Sequence, residues 1–456
     1  MQIFSVTNKK VGVWGLGITG RSLIKFLADK AESVFVLEKK ELSADDRALC
    51  ERLGVVVLRD PDDREKFLST CEIIIPSPGI DVRKACENLF DAIKEKCIPE
   101  LDLFYYLFKK PIVAITGSLG KTTITTLLAK ALTDSGRSVA VGGNIGIGLF
   151  DLLEKQDELD CVVLEVSSFQ LELCRLFVPT VALWTNLHPN HLDRHATFED
   201  YANAKKKIYE YQAEPHVIAP LRLLAQLGLV KGLSQSCGNV CIANTYNGMR
   251  LEVVDGTVVM QTRDSRQMIC SVEDLGQQGF IENWLMVIAG LVALGVDLSK
   301  IKSAIDVVVQ EEVVIEHRLE YVATVSGVDF INDSKATVVQ ATQAAVNRLC
   351  DRPLILLLGG LSKGVNRRPF VAELSGRVAH VVCFGGEASD LYRVCCSNAL
   401  CATSCETLEE ALDCAVRYAR PGYRILLSPA GSSFDLFSNY MDRGKRFKQL
   451  VELLAR

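Results

Sequence analysis

The chain has 456 residues, enough for about three domains at roughly 150 residues each. Lys and Arg total 51 against 56 Asp and Glu, a net charge of -5, so no global positive field is available for nucleic acid or an anionic membrane. Charged residues at 23% and apolar ones at 48% exclude the composition of a disordered chain and leave a soluble globular enzyme, whose anionic substrates must be met locally.

The opening MQIFSVTNKKVGVWGLG enters a strand pattern without the apolar core and cleavage site of a secretory signal, which predicts a cytoplasmic protein. KKVGVWGLGITGRSLIKFLADKA reads as strand, glycine turn and helix, and SVFVLEKK as the next strand. Gly15, Gly17 and Gly20 of GLGITG, with Glu38 ending the following strand, make a dinucleotide fingerprint that alone would fit a dehydrogenase. CEIIIPSPG and PIVAITG continue an alternation of strands and helices that marks a parallel sheet covered by helices. A second series starts at Pro111 and includes SVAVGGNIG, LDCVVLEVSS and VALWTNL. Between residues 217 and 270, the Asn-Gly and Asp-Gly turns of NTYNGMRLEVVDGTVVM predict antiparallel hairpins. Trp284 to Val296 is the longest apolar stretch; it falls short of the about 20 residues that cross a bilayer and predicts a buried helix. A third alternation follows IEHRLEYVATVSGVDFINDSKAT, with strands PLILLLGG, HVVCFGG and RILLSPAG. Three α/β domains in series are predicted, over 1–110, 111–314 and 315–456. The 16 cysteines include no C-x-x-C pair, and several sit in apolar runs, such as Cys161 and Cys383. Reduced buried thiols are the expectation, with zinc or disulfides as the competing readings.

The most informative string is AITGSLGKTTITTLLAKAL. Gly117 and Gly120 let the backbone turn its N–H groups inward, Lys121 can reach terminal phosphates, and Thr122 can offer a hydroxyl to Mg²⁺. The helix that begins there adds its positive end. A strand-to-helix turn that merely contains a lysine is the plain alternative. Glu165 ends an apolar strand, where a carboxylate is costly unless it meets a cation such as Mg²⁺ on a nucleotide. TNLHPNHLDRH brings His188, His191, Asp193 and His195 together; zinc ligation and a solvated loop with incidental histidines remain open for this stretch.

AITGSLGKTT, GGNIG, LEVSSFQLE, LHPNHLDRH, YANAKKKIYE, EHRLEYV, INDSKAT, LLLGGLSKG and LLSPAGSSFDLF occur in the order and at about the spacing of the Mur ligase family, which the whole chain resembles. The resemblance implies a Rossmann-like N-terminal domain for a UDP-linked substrate, a P-loop central ATPase domain, and a Rossmann-like C-terminal domain for an amino acid. It is nearest to the members that join D-glutamate to UDP-N-acetylmuramoyl-L-alanine, forming ADP through an acyl phosphate in peptidoglycan precursor synthesis. The implied cofactors are ATP, Mg²⁺ as two ions, and a carbamate on Lys205. The implied partners are small molecules, with no nucleic acid, no membrane insertion and a monomeric state.

Residue by residue, the resemblance gives Gly117, Ser118, Leu119, Gly120, Lys121, Thr122 and Thr123 to ATP, with Asn283, Arg318, Asp333 and Lys335 also facing the nucleotide. Thr122, Glu165, His191 and Lys205 match metal-side positions; Lys121, Glu165, His191 and Lys205 match the catalytic set. Lys205 matches a lysine carried as a carbamate, an anionic ligand where an ammonium would repel magnesium; Lys206 and Lys207 read as a solvated helix face. Gly17, Ile18, Thr19, Glu38, Ser77, Gly79, Asn144, Ser167 and Gln170 match positions near the muramoyl nucleotide, and Thr337, Lys363, Ser433 and Phe437 positions near the incoming glutamate, although Phe437 also reads as core. His317 matches a hinge.

The match has departures. Near the adenine only Asn283 of three polar residues remains, with Gly279 and Phe280 in the other places; Leu119, Val338 and Ser362 replace polar residues elsewhere. Each removes a hydrogen bond worth about 0.5–1.5 kcal/mol. Another amide ligase of this type, or of the folylpolyglutamate type, is the nearest alternative, and a degenerate homologue acting as a binding protein is the more distant one.

Overall fold

The computed structural model describes residues 5–230, 241–245, 248–275, 280–311 and 315–455; Gly279 lies outside the described residues. Three sheets follow one another along the chain. The first contains β1 (Lys10–Trp14), β2 (Ser33–Glu38), β3 (Val56–Arg59) and β4 (Ile73–Pro76), all parallel in the order β3-β2-β1-β4. The central sheet has nine strands: β5 (Ile112–Thr116), β6 (Val139–Gly143), β7 (Cys161–Glu165), β8 (Val181–Trp184), β9 (Val217–Pro220), β10 (Cys241–Asn244), β11 (Arg250–Val254), β12 (Thr257–Gln261) and β13 (Arg266–Ser271). Its order is β13-β12-β11-β10-β9-β8-β5-β7-β6, so the predicted hairpins extend the parallel sheet from β9 rather than forming a layer of their own.

The third sheet comprises β14 (Glu320–Val325), β15 (Val328–Asn332), β16 (Leu354–Gly359), β17 (His380–Phe384), β18 (Ala402–Cys405) and β19 (Arg424–Leu427), in the order β14-β15-β19-β16-β17-β18. Only the edge pair β14–β15 is antiparallel. Strands β5, β7, β16 and β17 are buried along their whole length, which is why they read as unbroken apolar runs rather than as an alternating pattern.

Contacts divide the chain into two compact units, Met1–Leu187 with Glu199–Val313, and His188–Phe198 with Val314–Arg456. In the first unit one hydrophobic core runs from Leu23 and Ile24 of the helix after the glycine turn, through Phe104, to Phe150 and Trp184 around the central sheet. The Phe26 and Phe150 rings lie 5.1 Å apart across it. The first sheet is therefore tied to the central one by packing as well as by sequence. The predicted apolar helix spans Ile281–Ala293, with its residues from Trp284 to Leu291 buried. No helix among the described residues is long and apolar enough to cross a membrane. Fourteen of the described cysteines are free thiols, nine of them buried, as the apolar runs implied.

Candidate active site

The glycine turn after β5 is built by close backbone approach. Gly117 has φ 147°, and a Cβ there would lie 1.9 Å from the Thr185 Oγ1, so no side chain fits. Leu119 N–H donates to Asn186 Oδ1 (2.9 Å), the Leu119 carbonyl accepts from the Asn186 amide (3.1 Å), and Ser118 Oγ lies 3.0 Å from Tyr201 Oη. Gly120 is left-handed (φ 81°) and caps the helix Lys121–Asp134; Asn283 Oδ1 lies 2.9 Å from where its Cβ would be. Asn283 thus stands against the loop, as the family pattern implies. Thr123 is buried behind it. Thr185, Asn186 and Tyr201 hold the loop and escaped the sequence reading, because each is a long-range partner with no local signature.

Lys121 Nζ donates to the Gly117 carbonyl at 2.9 Å, and Lys205 Nζ reaches the same oxygen at 2.9 Å and Thr116 Oγ1 at 3.2 Å. Two lysine Nζ atoms thus converge on one carbonyl. Lys205 is 1% exposed, and burial, then the Lys121 charge, hold its amine well below the usual lysine range, Glu165 opposing them. Glu165, also 1% exposed, accepts from Thr122 Oγ1 at 2.6 Å and from Asn144 Nδ2 at 2.8 Å. Lys121, Thr122, Asn144, Glu165 and Lys205 are therefore one cluster at the ends of β5, β6 and β7. Lys207, expected on a solvated face, instead donates to the carbonyls of Glu172 (2.9 Å) and Cys174 (3.0 Å), a helix-to-loop tie that periodicity cannot reveal.

His191 lies on the segment grouped with the carboxy-terminal unit. Its φ of 56° is stabilised by a bond from its N–H to Asn190 Oδ1 (3.0 Å), and its carbonyl accepts from the N–H of His195 at 2.9 Å. Burial lowers the pKa of His188. Among the described residues no group of three or more His, Cys, Asp or Glu could hold a metal ion, so nothing supports the zinc reading.

At the first sheet, Glu38 accepts from the N–H groups of Leu16 (2.7 Å), Lys39 (2.8 Å) and Lys40 (2.9 Å). One oxygen, Oε2, braces the glycine turn through Leu16, and the other, Oε1, closes the end of its own strand through Lys39 and Lys40. Ser77 Oγ donates to the Gly15 carbonyl (2.9 Å), which joins the PSPG wall, with Gly79 at its end, to the same turn. Gly17 and Ile18 are exposed at the tip, Ile18 at 67%, and Thr19 is half-buried. Ser167 and Gln170 form a capping box on the short helix Ser168–Leu171.

In the carboxy-terminal unit, Asp333 accepts from Ser428 Oγ (2.7 Å) and from Leu319 N–H (3.2 Å), with the Arg318 charge nearby. Lys335 lies 5.0 Å from the Tyr440 ring, and Lys363 Nζ is 3.3 Å from Thr337 Oγ1. The Lys363–Thr337 pair is thus brought together. Ser433 is buried, and Phe437 is half-buried and packs against the core that contains Phe447. Val338, in place of a polar residue, is buried at the start of the helix Val339–Leu349, and Ser362 Oγ is 3.1 Å from Glu387.

Burial raises the Asp333 carboxyl from 3.8 to about 6, against Arg318 and the Ser428 bond. Its unfolded form loses the proton first, so its contribution to stability falls as pH rises from about 4 to about 6 and stays low above that. Asp333→Asn removes this titration. The unfolding free energy of the variant relative to wild type is therefore expected to rise by about 2 kcal/mol between about pH 4.5 and about pH 7. Urea melts at the two pH values check this, and an equal difference at both contradicts it.

The comparisons with known proteins fit this arrangement. Residues 115–289 match the Mur ligase middle domain, 317–431 the Mur ligase, glutamate ligase domain, and 9–97 the Mur ligase MurD-like N-terminal domain. The chain is 33% identical over 461 residues to the UDP-N-acetylmuramoylalanine--D-glutamate ligase of Caldanaerobacter subterraneus subsp. tengcongensis, covering 98% of this chain and 99% of that protein. The chain belongs to the Mur ligase family. A protein of the same name from Pasteurella multocida is 34% identical, with 98% and 99% covered. Among solved structures, the MurF ligase of Thermotoga maritima in complex with ADP shares the fold at TM-score 0.52 and 15% identity, over 100% of this chain and 98% of that one. The E. coli FolC complex with ADP does so at TM-score 0.54 and 16% identity, over 81% and 96%. The three-domain Mur ligase architecture is thus established for this chain.

Proposed function

We propose that this Mur ligase adds D-glutamate to UDP-N-acetylmuramoyl-L-alanine with ATP, releasing ADP and phosphate, in the cytoplasmic synthesis of peptidoglycan precursors, and that it works as a monomer. The observation that carries the reading is the cluster of Lys121, Thr122, Glu165 and Lys205 on one glycine cradle, in a chain a third identical from end to end to ligases of that name. Residues 1–110 take the UDP-linked substrate, 111–314 take ATP, and 315–456 take the amino acid.

The residues fit ATP and Mg²⁺. The N–H groups at the start of the helix at Lys121 suit phosphate oxygens, in a turn whose close approach to Thr185 leaves no room for a Cβ at Gly117. The Thr122 hydroxyl and the Glu165 carboxylate, 2.6 Å apart, are hard oxygen donors of the kind magnesium takes. His191 and a carbamate on Lys205 complete the proposed metal-side set. Neutral amine attacks CO₂, giving a carbamate and one proton, and the burial that lowers the Lys205 pKa favours that reaction. Bound there, two magnesium ions would neutralise charge on the transferring phosphoryl group.

An alanine carboxylate cannot be displaced by an amine until its oxygen is made a leaving group. Lys121 would hold the terminal phosphate in line with that carboxylate, whose oxygen takes the phosphoryl group as ADP departs. Asn144, Ser167 and Gln170 would orient the muramoyl end, and Gly17, Ile18, Thr19, Glu38, Ser77 and Gly79 the nucleotide end. Thr337, Lys363, Ser433 and Phe437 would seat the glutamate, with Lys363 and Thr337 on its side-chain carboxylate. Its neutral amine attacks the acyl carbon, loses a proton, and phosphate leaves. Ser118, Leu119, Gly120, Thr123, Asn283, Arg318, Asp333 and Lys335 would complete the nucleotide side.

Phosphate release is expected to need ATP, UDP-N-acetylmuramoyl-L-alanine and D-glutamate together, and to fall at least about 100-fold with L-glutamate, whose amine is misplaced once both carboxylates are held. Equal rates with the two enantiomers would remove the assigned substrate. Release without the muramoyl substrate would leave only an ATPase.

A further inference from the structure

Lys363 stands inside a tight turn of the loop that leaves β16. The Val365 N–H donates to the Ser362 carbonyl at 3.1 Å, and both residues between them have positive φ, Lys363 at 53° and Gly364 at 75°. Two left-handed residues in succession are the signature of a type I′ turn, which favours glycine or asparagine and takes a lysine only where the surroundings enforce it. One side of the loop is enforced by pairing. Leu361 and Ser432 exchange backbone bonds, at 2.9 Å and 2.8 Å, which ties the loop to the turn that carries Ser433.

The tie next to the lysine is Glu387, the residue that precedes the helix Ala388–Ser397 beyond the end of β17. Glu387 Oε1 accepts from the Ser362 N–H at 2.9 Å and lies 3.1 Å from its Oγ, while Oε2 pairs with Arg367. Arg367, 5% exposed, directs its other N–H groups to the carbonyls of Gly359 and Gly360, each at 3.0 Å, where the chain leaves β16. Both Glu387 oxygens are thereby engaged within the protein. Burial acts to raise the Glu387 pKa, yet the Ser362 N–H, the Arg367 charge and the Ser362 hydroxyl hold it below the usual carboxylate range, so it meets the loop as an anion.

We propose that Glu387, backed by Arg367, is a positioning residue for the incoming glutamate: it fixes the Ser362–Val365 turn so that Lys363 is held beside Thr337 to receive the substrate's side-chain carboxylate. This rests on the assignment of Lys363 and Thr337 to that carboxylate. The 3.3 Å between Lys363 Nζ and Thr337 Oγ1 depends on where the backbone starts a flexible four-carbon stem. With Glu387 removed, the Ser362 N–H and hydroxyl lose their acceptor, the turn relaxes toward the right-handed conformations that a lysine prefers, and the ammonium leaves Thr337. The loss then falls on seating the amino acid, because the turn must be re-formed at binding. Arg367 has a second part, neutralising a carboxylate that would otherwise compete with the substrate for Lys363.

Steady-state kinetics of the full chain with D-glutamate as the varied substrate test this. Glu387→Ala is expected to raise KM for D-glutamate about 10-fold or more, with kcat kept within about 3-fold and KM for ATP within about 2-fold. Lys363→Met, which removes the ammonium, is expected to raise the same KM by at least as much. Adding Glu387→Ala to Lys363→Met should then change KM by no more than about 2-fold, since a residue that acts through the lysine has nothing left to act on. Glu387→Gln keeps the side-chain shape but sets an amide donor against the Arg367 guanidinium, so a KM rise of about 3-fold is expected, abolished again in Lys363→Met. It carries the test should Glu387→Ala fail to fold. An unchanged KM in folded Glu387→Ala or in Glu387→Gln, or a rise by the same factor with and without the lysine, overturns the proposal alone. An unchanged KM in Lys363→Met overturns the glutamate assignment on which it rests, and absence of wild-type turnover with D-glutamate overturns the assigned function as well.

Discussion

Lys121→Ala is expected to lower kcat by at least about 1,000-fold, with the melting temperature unchanged within a few degrees. Removing a group aimed at charge that develops in the transition state typically costs about 100- to 1,000-fold, and the proposed function gives Lys121 that place on the transferring phosphoryl group. Its Nζ rests on the carbonyls of Gly117 (2.9 Å) and Ser118 (3.4 Å) and is half-buried, so its loss strands no deeply buried charge. Thr185, Asn186 and Tyr201 also hold the turn and remain in the variant. Single-turnover phosphate release separates the chemical step from ADP release. Activity within about 10-fold of wild type would take the loop lysine out of the chemistry.

Lys205→Arg is expected to lose at least about 100-fold in kcat, as much as Lys205→Ala, because the guanidinium keeps the positive charge but cannot become a carbamate. The 1% exposure of the side chain leaves no solvent to screen that charge beside the metal. Wild-type activity should fall in buffer stripped of carbon dioxide and return with added bicarbonate, while both variants ignore bicarbonate. A Lys205→Arg enzyme with half of wild-type activity would show that the unmodified cation suffices. Melts of both variants keep a folding defect distinct from a chemical one, since the lysine also holds Thr116 and Gly117.

The parts of the site that sequence made legible are local ones. A glycine turn, the lysine after it and a carboxylate at the end of an apolar strand are fixed within a few residues, and Lys121, Thr122, Glu165 and Asn144 meet as that pattern implies. The hairpins between residues 217 and 270 were readable from their Asn-Gly and Asp-Gly turns, but their merger with the parallel sheet depends on the pairing of β9 with β10. What stayed hidden are partners distant in sequence: Asn186 on Leu119, Tyr201 on Ser118, and Gln170 on Glu100. Burial is all that periodicity reports for such residues, and a buried glutamate in PELDLF looks no different from an exposed one. The grouping of residues 188–198 with the carboxy-terminal unit is likewise a tertiary fact, since the segment continues directly from β8. Glu38 illustrates the reverse case, a fingerprint carboxylate whose oxygens go to backbone N–H groups, Leu16 in the turn and Lys39 and Lys40 after its own strand.

The central claim is that the glycine loop holds ATP so that its terminal phosphoryl group passes to a carboxylate oxygen. UDP-N-acetylmuramoyl-L-alanine labelled with ¹⁸O in the alanine carboxylate, turned over with ATP and D-glutamate, tests it most directly by mass spectrometry of the phosphate. One labelled oxygen is expected in each phosphate released, carried over when the acyl carbon–oxygen bond breaks. Phosphate without label, alongside amide product, would contradict the account.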